Sequence, residues 1–153
     1  MRHRCARLDG VLLLKECSRT SRHWKRRDGR THAVLARLRD QGIRLWLDDF
    51  GTGFSGLSHL MRLPVDGVKI DRAFIAGMFS ESEHRALTRT IIGMAQSLGI
   101  VTVAEGIEQP EQYDALREAG CDFGQGFWLG KPMSQREFRE FADERRQAET
   151  RGL

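Results

Sequence analysis

Cysteine is scarce in this sequence, and its positions form no pattern typical of a metal site or a disulfide framework. The three cysteines, Cys5, Cys17 and Cys121, include no Cys-x-x-Cys pair, and the five histidines show no metal-ligand spacing. These absences exclude a conventional zinc site and favour a reduced, cytoplasmic protein. Long apolar runs are also missing. The longest early run, residues 11–14, is too short for a signal peptide or a membrane span, so we expect neither.

Length and charge divide the chain into parts of different character. The 153 residues can form one domain with a sizeable core, but a complete (β/α)₈ barrel needs roughly 250 residues. Residues 1–44 carry thirteen Lys/Arg against four Asp/Glu, whereas the rest of the chain is mildly acidic. We expect a poorly specified basic leader over 1–30, a folded domain over 31–145 and a frayed tail over 146–153.

The arginine-rich leader raises the question of nucleic-acid binding. It contains no recognisable binding motif and no aromatic residue interleaved with the arginines except Trp24. Basic residues without such features do not favour a nucleic-acid interface. We therefore expect no nucleic-acid partner for this segment.

The most informative stretch is residues 45–56, which read as a buried strand followed by two acids and a glycine-rich loop. Successive side chains of a strand point to opposite sides, so Asp48 and Asp49 can face one spot only if the chain turns there. Gly51 and Gly53 permit such a turn. Two adjacent carboxylates in a crevice favour a hard cation such as Mg²⁺ or Mn²⁺. The alternative is a solvated Asx turn after a core strand.

Helical and strand patterns alternate along the chain from Thr31. Strands are predicted over 44–48, 67–71, 100–104 and 121–126. Helices are predicted before the first strand, as an apolar stripe at 57–63 ending at Pro64, over 80–98, over 110–120 and from Ser134. This order predicts an α/β fold with about four parallel strands alternating with helices.

Polar residues suited to chemistry follow or end each predicted strand. In a parallel sheet these ends share one edge, where functional residues gather. Lys69 lies inside a short apolar strand, so we expect it to reach the strand end or to face Asp48 or Asp49. Carboxylates, a lysine and a glutamine at one edge suit metal-assisted phosphoryl chemistry. The candidate residues are Asp48, Asp49, Lys69, Glu105 and Gln125.

Several of these segments together resemble the EAL domain, the bacterial cyclic di-GMP phosphodiesterase family. They are Asp48-Asp-Phe-Gly-Thr-Gly-Phe-Ser, Val68-Lys-Ile-Asp, Val103-Ala-Glu-Gly-Ile-Glu and Gly124-Gln-Gly-Phe, with Gly130-Lys-Pro behind them. The resemblance covers about residues 33–141 and corresponds to the carboxyl-terminal half of that domain. It implies a partial (half) TIM-like (β/α) barrel.

The resemblance also implies roles for individual residues. Asp48 is similar to the acid shared by two Mg²⁺ or Mn²⁺ ions, and Asp49 and Glu105 are similar to ligands of the second ion. Lys69 resembles the lysine that contacts the hydrolytic water and the phosphate, and Gln125 the glutamine that helps to hold that water. Glu108 matches a glutamate that supports the site from behind the ligands. The mobile loop of the family corresponds to Phe50, Gly51, Thr52, Gly53, Phe54 and Ser55.

The sequence departs from the family pattern before residue 45. The Glu-Ala-Leu segment, an asparagine and a further glutamate are not recognisable there; by spacing, that glutamate would fall near Ser18 and its companion near Ser21. The resemblance thus implies a cyclic di-GMP phosphodiesterase that is truncated and catalytically impaired. The alternative is an inactive remnant that acts as a nucleotide-binding or protein-interaction module. A shifted reading frame is a further explanation for residues 1–30.

Half of a barrel should expose an unpaired strand edge and an apolar inner face. We expect residues 44–48 to form that edge. Either surface favours association, so the partners predicted beside cyclic di-GMP are a second copy of the chain or a complementing protein.

Overall fold

The computed structural model describes residues 11–15, 28–51 and 63–151. Its centre is a sheet of five parallel strands, which lie side by side in the order of the chain. The strands are β1 (Val11–Lys15), β2 (Arg44–Phe50), β3 (Gly67–Ile70), β4 (Val101–Glu105) and β5 (Phe123–Gln125). Because every pair is parallel, all the described carboxyl ends lie at one edge of the sheet.

Helices connect or follow these strands, as the alternating pattern predicts. They are α1 (Asp28–Asp40), α2 (Arg72–Ala76), α3 (Ser82–Ser97), α4 (Pro110–Glu118) and α5 (Gln135–Arg151). The predicted architecture of parallel strands alternating with helices is confirmed. Helix α5 continues through Arg151, past residue 145, where the sequence predicts a frayed tail.

Strand β1 is an addition to the four predicted strands. It pairs with β2 from Val11 opposite Arg44 to Lys15 opposite Asp48, so β2 is an interior strand. The prediction that residues 44–48 form the open edge is therefore wrong. The apolar run at 11–14 is long enough for a strand, but it is too short to show the sustained periodicity on which the other elements are predicted.

The two faces of the sheet differ in their environment. On one face Leu47, Val68 and Thr102 lie side by side in register and are buried. Leu47 and Val68 belong to a hydrophobic core that includes Ile92 of α3 and Leu116 of α4. Full burial of one such apolar side chain contributes about 1.5–3 kcal/mol before the entropy of ordering is counted.

The other face of the sheet is only partly covered. Trp46, Lys69, Val103 and Glu105 are half-buried there. Trp46 lies across Gly67, where a Cβ atom would stand 2.5 Å from the indole ring. In the half-barrel that the sequence predicts, this would be the face that turns toward the inside.

Several predicted features fall outside the described residues. The helical stripe at 57–63 is described only at Leu63, and the loop residues Thr52, Gly53, Phe54 and Ser55 are not described. Within the described ranges, none of the helices combines the length and apolar character needed to cross a bilayer.

Candidate functional site

The structure brings the sequence-predicted site residues to one edge of the sheet. Asp48 and Asp49 lie near the end of β2, and Lys69 is the third residue of β3. Glu105 and Gln125 are the last residues of β4 and β5 and pair with each other in register. The site therefore occupies the carboxyl ends of four neighbouring strands.

A β-bulge presents the two adjacent acids. Leu47 pairs with Val68 and Phe50 pairs with Ile70, so Asp48 and Asp49 together span what β3 spans with a single residue. Asp49 has a φ of 55°, a left-handed conformation that aspartate tolerates better than most residues. The turn predicted from Gly51 and Gly53 thus already occurs inside the strand, at Asp49. A bulge of this kind allows two consecutive side chains to lie at the same edge of the sheet.

Lys69 forms the electrostatic centre of the site. Its Nζ atom lies 3.0 Å from Oδ1 of Asp48 and also contacts the carboxylate of Glu105. Asp48 is buried and Lys69 is mostly covered, with 19% of its side chain exposed. Lys69 thus faces an acid, as its position inside an apolar strand predicts.

The charge state of Lys69 follows from these contacts. Burial by itself lowers the pKa of Lys69, whereas the hydrogen bonds and charges of Glu105 and Asp48 raise it. The raising effects prevail, so the pKa of Lys69 lies above its ordinary value of 10.5. The lysine therefore stays cationic at neutral pH and partly offsets the negative charge of the two acids.

The loop after β4 connects the ends of β4 and β5. Ile107, which is fully buried, donates its N–H to the carbonyl of Gln125 at 3.1 Å and accepts from the N–H of Trp128 at 3.0 Å. A Cβ atom at Gly126 would stand 2.2 Å from the backbone nitrogen and oxygen of Ile107, so only glycine permits this approach. The loop thereby holds Glu105 beside the end of β5.

The other predicted site residues differ in how far they are buried. The side chains of Gln125 and Glu108 are exposed, and Asp49 is half-buried. Phe50 is buried, and Gly51 packs so closely on Phe74 that a Cβ atom would stand 2.6 Å from its ring. The first two residues of the predicted mobile loop are therefore anchored in the core.

The described carboxylates are the type of ligand that a divalent cation prefers, but too few of them are grouped together to hold one. Hard oxygen donors are what Mg²⁺ and Mn²⁺ prefer. Among the residues that the structure describes, however, no three acidic, histidine or cysteine side chains are grouped closely enough to hold a metal ion. Two of the acids are instead paired with Lys69.

Sequence reasoning missed Gln112, a buried residue of α4. Its side chain bonds to the backbone of the loop after β4 and of helix α2. The only signal in the sequence is a glutamine in the first turn of a helix, which predicts a capping contact. It does not predict the second contact, with a distant helix.

The family comparison assigns this arrangement to a known class. The family profile described as the EAL domain matches residues 14–132. This chain belongs to the EAL domain family.

Individual relatives agree with this assignment. The cyclic di-GMP phosphodiesterase NbdA of Pseudomonas aeruginosa is 42% identical over 111 residues, which are 72% of this chain and 14% of that protein. The crystal structure of the EAL domain of Mycobacterium smegmatis DcpA is 35% identical with a TM-score of 0.76, covering 88% of this chain and 58% of that chain. The similarity to these TIM-barrel domains confirms the predicted partial barrel.

A third relative was solved with ligands. The manganese and cyclic di-GMP complex of Klebsiella pneumoniae BlrP1 is 31% identical with a TM-score of 0.66, covering 76% of this chain and 29% of that chain. The chain thus spans between 14% and 58% of the length of these relatives.

Proposed function

We propose that this chain supplies the carboxyl-terminal half of a metal-dependent cyclic di-GMP phosphodiesterase site and is catalytically impaired on its own. The observation that carries this proposal is the contact of Lys69 with both Asp48 and Glu105 at the carboxyl ends of three adjacent strands. A cation between two carboxylates marks a place where positive charge is stabilised and where a phosphate can be neutralised.

Each site residue has a distinct role in this proposal. Asp48, Asp49 and Glu105, together with oxygen ligands from the complementing half of the site, would hold Mg²⁺ or Mn²⁺, which when bound supplies an acidified water and neutralises phosphate charge. Lys69, released from one acid, orients the phosphate. Gln125 holds the attacking water, and Glu108 supports the loop behind Glu105. Cleavage of one phosphodiester of cyclic di-GMP gives the linear dinucleotide.

The proposed loss of catalytic activity follows from the residues of β1, the strand next to Asp48 and Asp49. The residue of β1 that pairs with Asp48 is Lys15, not an acid. Ser18 and Ser21, where spacing places the family glutamate and its companion, lie outside the described residues and carry no carboxylate. A shared metal cage that lacks several oxygen ligands should lose turnover almost completely.

Partners and location complete the proposal. The ligand is cyclic di-GMP, and a second copy or a complementing protein covers the open face of the sheet. The free, buried thiol of Cys121 suits a reducing compartment, so the chain functions in the cytoplasm.

The decisive experiment supplies the part of the barrel that this chain does not contain. The chain and its Lys69→Ala variant are incubated with cyclic di-GMP and Mn²⁺, alone and with the amino-terminal half of the DcpA EAL domain. Formation of the linear product is followed by chromatography, and association of the two polypeptides by sedimentation. We expect product above the Lys69→Ala control only in the complemented mixture.

Two outcomes contradict the proposal. Turnover by the unaccompanied chain at the rate of an intact relative would refute impairment. A complemented, associated mixture without Lys69-dependent product would refute the phosphodiesterase half-site.

The alternative function is an inactive EAL remnant that binds a nucleotide or a protein. It is favoured by the lack of any three-ligand metal group among the described residues. Calorimetry with cyclic di-GMP but without metal distinguishes its two forms, because only a nucleotide-binding module releases heat.

A further inference from the structure

Gln112 is a buried polar side chain with every hydrogen-bonding atom positioned against a backbone partner. It lies on α4 and is 4% exposed. Its Oε1 accepts from the N–H of Glu108 at 2.8 Å and of Gln109 at 3.1 Å. Its Nε2 donates to the carbonyl of Ile75 at 3.0 Å. The amide supplies an acceptor and a donor on separate atoms, so it satisfies both sets of backbone groups at once.

These bonds connect the segments that follow two site residues. Ile75 belongs to α2, which begins immediately after β3 and is capped by Asp71 through a 2.7 Å bond to the N–H of Ala73. Glu108 and Gln109 belong to the loop that follows Glu105. Gln112 therefore ties the chain beyond Lys69 to the chain beyond Glu105.

We propose that Gln112 is a positioning residue that holds Glu105 against Lys69 and so sets the geometry of the cation site. Its consequence for metal binding depends on the proposed function, whereas its mechanical role does not. The simpler explanation is a capping role, because the bond from Gln109 is half of a capping box for α4. The bond to Ile75 leaves the helix and spans 37 residues, so capping does not account for it.

A near-isosteric variant separates the two roles. Gln112→Glu keeps the oxygen acceptor for Glu108 and Gln109, and a carboxylate is favourable in the first turn of a helix. In its ionised form the glutamate loses the donor to Ile75 and places two oxygens against each other, so the comparison is made at about pH 9, where burial does not keep the carboxyl protonated. A capping residue should tolerate this change, whereas a positioning residue should not.

The chain offers a matched control in Gln96. Its Nε2 also donates to a backbone carbonyl, that of Gly120 at 3.0 Å, but at the opposite end of the sheet. Gln96→Leu therefore removes the same kind of bond without touching the site. Gln112→Leu removes all three bonds of Gln112.

The readout is hydrogen exchange of two amides that report on the loop after β4, those of Ile107 and Trp128. We expect both to exchange about tenfold faster in Gln112→Glu and Gln112→Leu than in Gln96→Leu, after correction for global stability. Mn²⁺ affinity, measured by calorimetry, should weaken in both Gln112 variants and remain unchanged in Gln96→Leu.

The outcomes are distinguishable. Unchanged exchange of Ile107 and Trp128 in Gln112→Glu would overturn the positioning role. If Gln112→Leu does not fold, Gln112→Glu alone is sufficient for this test. Faster exchange in the Gln112 variants, together with no Mn²⁺ binding by the unsubstituted chain even in the complemented mixture, would support the positioning role and refute the proposed function.

Discussion

Lys69 and the two acids that it contacts form a unit with an excess negative charge. Without the ammonium group, Asp48 would be a buried carboxylate facing a second one, and the cost of that arrangement rises in a crevice of low dielectric constant. In this chain Lys69 therefore has a structural function that is present before any cation or substrate binds. An incoming metal ion must compete with Lys69 for Asp48 and Glu105.

Replacing Lys69 by Met tests this structural function. We expect Lys69→Met to lower the free energy of unfolding by about 1–2 kcal/mol, because the ion pair is partly screened by solvent. The pKa of Lys69 is raised in the folded state, so its contribution is complete below the ordinary value of 10.5 and is lost as pH rises through the folded value. Denaturant unfolding of both proteins in a chelating buffer, from neutral pH upward, measures the difference. A difference that persists unchanged far above 10.5 would contradict the ion pair.

Asp49 shows how one residue can alter the geometry of a strand. Its left-handed φ of 55° inserts the bulge between Leu47 and Phe50. The sequence predicts that a turn is needed here, because two consecutive strand residues cannot otherwise face the same edge. It does not reveal that an aspartate rather than a glycine adopts the unusual conformation.

At the scale of strands, the same hydrogen-bonding arrangement occurs twice at the end of the sheet opposite the site. Asp66, just before β3, accepts from the N–H of Leu45 at 2.9 Å, and Asp122, just before β5, accepts from the N–H of Thr102 at 2.9 Å. In both cases an acid that precedes one strand holds the first part of its neighbour. These bonds fix the register that brings the carboxyl ends into line.

Removing one of these acids should weaken the sheet. Asp122 also accepts from the hydroxyl of Thr102, which is fully buried, so Asp122→Ala leaves two donors without their acceptor. We expect a loss of about 1–3 kcal/mol in urea unfolding. Asp143→Ala is the control, since its ion pair with Arg146 is exposed and 3.6 Å long, and should change stability by less than about 0.5 kcal/mol. Equal effects of the two substitutions would argue against the role of Asp122.

Local patterns predict most of these elements, but not the contacts between them. The strands around Asp48, Lys69, Glu105 and Gln125 could be predicted because apolar runs end at polar residues and glycines. Strand β1 could not, since five residues carry too little pattern and its pairing with β2 is a tertiary contact. The hydrogen bond from Gln112 to Ile75 could not be predicted either, because it joins residues far apart in the chain.

For the whole molecule, the open face of the sheet is the dominant feature. Val103 and Trp46 are only half-buried there, and beyond β5 the side chains of Phe127 and Trp128 are 59% and 49% exposed. The chain covers 58% of the chain in the DcpA EAL domain structure. Half-buried apolar side chains such as Trp46 and Val103, on a sheet face that the described residues cover only in part, favour association with another polypeptide.

We therefore expect the isolated chain to sediment as a dimer or a larger species. Val103→Lys places a charge on the open face and should shift the population toward monomer, because a buried unpaired charge is costly. Leu87→Lys is the matched control: Leu87 lies on α3 and is 48% exposed. Sedimentation velocity at several concentrations compares the three proteins. A compact, well-folded monomer for the unsubstituted chain, or dissociation by Leu87→Lys alone, would mean that the open face of the sheet needs no partner.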